Sequence, residues 1–241
     1  MRRSRLYLAL SILSLVFGVA LGQAQDHCAG RECPFSVCDT DDCQSPDTIR
    51  FGSDPEFHLD EAFRSVQTRD YRTMQRHAAA LLKYDNTDPI SHELLAYSLR
   101  GQEQYAESIE AYEKAIDLGL EGRYPNIMVV CDSYIGIAAN YDASGEHEKA
   151  IENIEYALRI AEERRKLEQS DDAYYQLACA YAVRSGMESG KQSAKDRGSA
   201  IANLKFAIVK GFNNWDHMRG DLDLKALHGH AAFNELFPKD Q

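Results

Sequence analysis

The stretch Ala96-Tyr97-Ser98-Leu99, followed by Tyr105-Ala106-Glu107-Ser108 and then by Tyr112 and Ala115, decides the fold. Ala96 and Ser108 leave room for two helix backbones to approach. Ser108, Tyr112 and Ala115, at offsets of four and then three, share one helical face. The pattern recurs. Ala62, Ala138 and Ala178 match Ala96, while Met74, Ala150 and Ala200 match Ser108. The larger contact at Tyr112 is repeated by Ala78, Ile154 and Leu204, and that at Ala115 by Leu81, Ala157 and Ala207. On the first helices, Leu95 and Leu99 are answered by Ile137 and Tyr141 and by Leu177 and Tyr181. Repeated hairpins of this kind predict an all-α solenoid, because one hairpin cannot bury its apolar face alone.

Met74 and Ser108 stand 34 residues apart, and with these joint matches the chain resembles the tetratricopeptide repeat family from roughly Pro55 to Ile208. The resemblance implies about four helical hairpins. The corresponding spacings then stretch to 42, from Ser108 to Ala150, and to 50, from Ala150 to Ala200. Gly119 to Asn126 reads as a turn, Glu162 to Glu168 as an extension of a helix, and Ser185 to Ser193 as an exposed loop between the last two helices. Glu61 and Ser65 depart from the apolar positions expected of the first helix, as in a capping repeat with one wet face. The segments Ala207 to Phe212, Asp221 to Leu227 and Phe233 to Leu236 are similar to the cap that closes many bacterial tetratricopeptide arrays. His228-Gly229-His230 departs from that pattern.

Arg2, Arg3 and Arg5 precede an apolar run from Leu6 to Gly22, and Ala20-Leu21-Gly22 offers a small-x-small cleavage site, the layout of an export signal. The expected organisation is a signal peptide over 1–22, a Cys-rich exported linker over 23–54, the solenoid over 55–210 and the cap over 211–241. The protein is then periplasmic or secreted, and an uncleaved N-terminal anchor is the alternative. The formal charge of −11 becomes −14 without the three leader arginines, 24 basic against 38 acidic residues, which disfavours nucleic acid as a partner.

Cys28, Cys33, Cys38 and Cys43 fall at intervals of five in a segment broken by Pro34, so they do not share a helical face and read as a loop. Two disulfides are expected after export, in any of three connectivities, with four-thiolate zinc as the alternative. Cys131 and Cys179 read as buried free thiols.

Nucleotide-binding glycine motifs and a nucleophile elbow are absent, so no catalytic residue and no cofactor are assigned. His217, Asp221, Asp223, His228 and His230 form the densest group of metal-type ligands, but Asp-x-Asp-Leu-x-x-Leu also reads as a helix cap with core leucines. The family resemblance implies a concave groove lined by the first helices, at Leu59, Phe63, Glu93, Tyr97, Arg100, Ile135, Ala139, Asp142, Tyr175 and Cys179. Phe63, Glu93, Tyr97, Arg100, Ile135 and Tyr175 are the candidate partner-binding residues, for a peptide or helix of another protein. The alternatives are that part of this line is inter-repeat packing, or that the chain is a metal-dependent or catalytic exported protein using the Cys-rich loop or the His-rich cap.

Overall fold

A computed structural model describes residues 54–121 and 123–238. The segment 1–22 and Cys28, Cys33, Cys38 and Cys43 lie outside the described residues. Eight helices pair in order as four antiparallel hairpins: α1 (Pro55–Thr68) with α2 (Tyr71–Tyr84), α3 (Pro89–Gly101) with α4 (Tyr105–Leu120), α5 (Ile127–Ala143) with α6 (His147–Glu168), and α7 (Asp171–Met187) with α8 (Gly190–Lys210). Each second helix also packs on the first helix of the next hairpin, which makes the solenoid. No strand occurs among the described residues, and no helix among them is long and apolar enough to cross a membrane.

Local chemistry starts these helices. Asp54 and Asp88 accept from the backbone of Glu56 and Ser91, each with proline at the first helical position. Asp70, Asn126 and Ser170 cap α2, α5 and α7 in the same way. The hairpins close on the small residues. Ala62, Ala96, Ala138 and Ala178 are all fully buried, as are Ala78, Ala115, Ala157 and Ala207. Ser108 Oγ donates to the carbonyl of Ala96 at 2.6 Å and accepts from Asn140 Nδ2 at 2.9 Å, so a polar position of the repeat ties three helices together. The first hairpin is complete despite its departures: Ser65 is buried and bonds back to the Glu61 carbonyl at 2.7 Å.

The expected loop over Ser185 to Ser193 is not there. α7 runs to Met187 and α8 starts at Gly190, where a φ of +63° suits glycine. Ser185 and Ser193 are buried, with Ser193 Oγ donating to the Ser185 carbonyl at 2.7 Å, and Arg184 forks onto buried Asp196 at 2.9 and 2.7 Å. Internal bonding replaces the solvent that the polar composition suggested. The Glu162 to Glu168 stretch does lengthen α6.

After α8 come α9 (Trp215–Gly220), a 3-10 turn over Leu222–Leu227 and α10 (Ala231–Asn234). This segment turns back along the first helices. The 3-10 turn packs on α5 and α7, and α9 reaches α1, where Arg69 donates to the Arg219 carbonyl at 2.8 Å. Met218, Leu224 and Leu227 are fully buried and join the largest core cluster.

Candidate functional site: a groove filled by the chain's own segment

The groove-facing side chains of α3 and α7 converge on two aspartates of the C-terminal segment. The Tyr175 hydroxyl donates to Asp221 Oδ2 at 2.8 Å and the Tyr97 hydroxyl to Asp221 Oδ1 at 3.4 Å. Tyr97 in turn accepts from the Leu222 backbone at 3.0 Å. Cys179 Sγ lies 3.6 Å and His217 Nε2 3.7 Å from Asp221 Oδ2. Asp221 also starts its own turn, accepting from the Asp223 backbone at 2.9 Å. The acid is a helix cap and a groove anchor at once. Arg100 Nη1 sits 2.8 Å from Asp223 Oδ1 in an ion pair whose arginine side chain is 6% exposed, and its guanidinium lies 4.9 Å from the Tyr97 ring centre. Phe212 stacks on Tyr175 at 4.4 Å and 9°.

Around this clamp the groove is crowded with carboxylates. Burial raises Asp223 to about 6 despite Arg100, and raises Asp132 to about 7 although Gln176 donates to it at 2.8 Å. Glu93 is raised well above its ordinary value by burial and then by Asp132, Asp223 and Asp88. Burial pushes the Tyr97, Tyr175 and Cys179 protons the same way. Burial opposes the Arg100 charge, and Asp223 with the neighbouring tyrosines more than offsets it, so this arginine stays charged. Gln176 ties the floor together: it donates to Asp132 and to the Met128 carbonyl at 3.0 Å, and accepts from Arg164 Nη1 at 3.1 Å.

The residues expected to hold a partner are therefore placed as follows. Tyr97, Arg100 and Tyr175 grip the chain's own Asp221 and Asp223, and Ile135 is fully buried in the core cluster that includes Leu224 and Leu227. Phe63 is half-buried against the core of the first hairpin, and Glu93 is half-buried with Asp132, Asp223 and Asp88 as charged neighbours. In this structure the groove that Tyr97, Arg100, Ile135 and Tyr175 line is occupied by the chain's own C-terminal segment. Tyr134 and Tyr174 pack between helices, stacked on Tyr156 and Phe206 at 5.8 and 5.3 Å.

Of the metal-type ligands, Cys179, Asp221 and Asp223 come together among the described residues, with ligand atoms within 4.8 Å. Their carboxylates already serve Tyr97, Tyr175 and Arg100, so a cation would have to displace a buried guanidinium. His228 lies instead beside Phe233, ring centres 5.7 Å apart. Cys131 and Cys179 are buried and unbridged. Asp132, Gln176 and Arg164 carried no motif in the sequence. Charge matching between the groove's one arginine and the cap's two aspartates was the available signal.

The fold and site define an all-α helical-repeat solenoid with a self-occupied groove. No family model matches the chain, and no curated protein matches it. Two similar solved structures are both of MamA. One is 20% identical over 65% of this chain and 78% of its own length at a TM-score of 0.39. The other is 17% identical over 66% and 96% at 0.33. Overlaps of that size transfer no function.

Proposed function

We propose that the protein is a non-enzymatic interaction scaffold working outside the cytoplasm, and that the peptide its concave groove binds is its own residues 221–227. The convergence of Tyr97, Tyr175 and Arg100 on Asp221 and Asp223 carries this reading. A foreign peptide in the same place would have to expose Met218, Leu224, Leu227 and Phe233, all essentially buried. At about 1.5–3 kcal/mol each, that costs roughly 6–12 kcal/mol. A whole domain is stable by only about 5–15 kcal/mol. The groove therefore acts as a closure, and partner proteins meet the outward surfaces. The leader-like run from Leu6 to Gly22 supports export.

Cross-linking mass spectrometry on complexes captured from the exported fraction of the native host tests both halves. Partner cross-links outside the groove with residues 221–227 still in it, and an N-terminus at or near Gln23, agree with the proposal. Partner cross-links into the groove with residues 221–227 released, or an intact Met1 on membrane-embedded protein, would sink it.

A further inference from the structure

The outward faces of the second helices change chemistry along the solenoid. Relative to the matched core positions Tyr112, Ile154 and Leu204, the same three outward positions hold Glu110, Glu113 and Asp117 on α4. They hold Glu152, Glu155 and Arg159 on α6, and Ala202, Lys205 and Val209 on α8. All nine are exposed. On α4, Glu107 extends the acidic face and Lys114 is its one outward cation. On α8, exposed Lys191 and Lys195 extend the basic face, and the helix's single acid, Asp196, is buried against Arg184. Apolar side chains sit among these charges: Phe206 is 53% and Val209 81% exposed on α8, Tyr156 43% on α6, and Leu120 50% at the end of α4.

We propose that this face docks a second copy of the chain, back to back about a two-fold axis at α6, with α8 of each molecule along α4 of the other. The order acidic, mixed, basic becomes basic, mixed, acidic in a copy turned by the two-fold, so both outer contacts pair lysine with carboxylate. At the axis, α6 meets itself through Glu152, Glu155 and Arg159, a self-complementary set. An anionic lipid surface is the competing occupant for a basic helix bearing Phe206 and Val209. The carboxylates of α4 and α6 on the same surface repel such a membrane and attract another α8. This surface lies apart from the filled groove, and its test does not depend on that reading.

Sedimentation velocity of the whole protein at micromolar concentration should show a monomer–dimer equilibrium that weakens with added salt. K195E/K205E and E110K/E113K, both on exposed positions, should keep the far-ultraviolet spectrum and each raise the dimer Kd more than about tenfold. Mixed together, the two variants should form a one-to-one heterodimer and stop there, since each supplies the face the other has inverted. Wild-type protein that stays monomeric at low salt, variants that do not pair on mixing, or growth beyond two copies would overturn the proposal. So would monomeric protein that binds vesicles of anionic phosphatidylglycerol through the α8 lysines.

Discussion

The hydroxyl of Tyr175 donates to Asp221 at 2.8 Å across 46 residues of chain, and this bond joins the last hairpin to the segment that closes the groove. Tyr175→Phe keeps the stacking on Phe212 and removes only that donor. Hydrogen bonds to charged groups contribute about 1.5–3 kcal/mol, so urea unfolding should report a loss in that range, with faster amide exchange over residues 221–227. Unchanged stability and exchange would mean that the contact contributes nothing.

Arg100 and Asp223 should behave as a coupled pair. Arg100→Met leaves the partly buried Asp223 carboxyl without its cation, so it takes up a proton more readily, at a cost of about 1–3 kcal/mol. Asp223→Leu strands the guanidinium. The double variant should recover much of the loss, because neither charge is then left alone. Additive losses in the double-mutant cycle would show that the two side chains do not interact.

The partly buried groove acids Asp132 and Asp223 set a pH dependence. Asp132 and Asp223 have folded values of about 7 and about 6 against an ordinary 3.8, so the folded state holds their protons more tightly than the unfolded chain. Stability from these two groups is full below about pH 4 and is lost as pH rises through about 6 to 7. The melting temperature should fall between about pH 4 and pH 7. Asp132→Asn, which keeps an oxygen for Gln176, should flatten that slope. A slope unaltered in this variant removes Asp132 as its cause.

An opposite trend belongs to the first hairpin. His58 Nδ1 and His77 Nδ1 are 2.8 Å apart, a contact that needs one ring neutral, and burial followed by the His58 charge lowers His77 below 6.5. A depressed folded value gives stability that is present above 6.5 and lost as pH falls through the folded value. Exchange in α1 and α2 should accelerate on acidification, and His77→Phe should abolish the acceleration. Equal acid sensitivity in that variant would place the effect elsewhere.

Gly136 on α5 leaves room for the Tyr112 ring of α4. A Cβ there would stand 2.3 Å from the ring of Tyr112, itself almost fully buried. Gly136→Ala should cost about 1–3 kcal/mol or more, whereas Gly198→Ala, with open space around it, should be neutral or slightly stabilising. Similar melting temperatures for the two variants would contradict the packing.

The hairpins were readable because their contacts recur: Ala62, Ala96, Ala138 and Ala178 mark each crossing at helical spacing, and all four are fully buried. That the first helices line a groove is what the family resemblance implies. What the pattern does not encode is a contact that occurs once. Tyr97 and Asp221 are 124 residues apart, outside any repeat, so the sequence supplies both ends without pairing them. The two-residue join between α7 and α8 was hidden differently. A polar, glycine-containing stretch looks like a loop until Ser193 is seen to bond the Ser185 carbonyl.

The tie between Arg69 on the first hairpin and the Arg219 carbonyl gives this solenoid a property that stacked repeats ordinarily lack. Arrays with free ends can nucleate anywhere and fray from either end. Here residues made only after all four hairpins complete the environment of the first one. During synthesis Tyr97, Arg100 and Tyr175 emerge before Asp221 and Asp223 exist, so the nascent groove stays hydrated and unlocked until the segment after α8 has been made. A chain halted after α8 would hold four hairpins with their inner surface still open to water, a state in which chaperones can bind it and proteases can cut it.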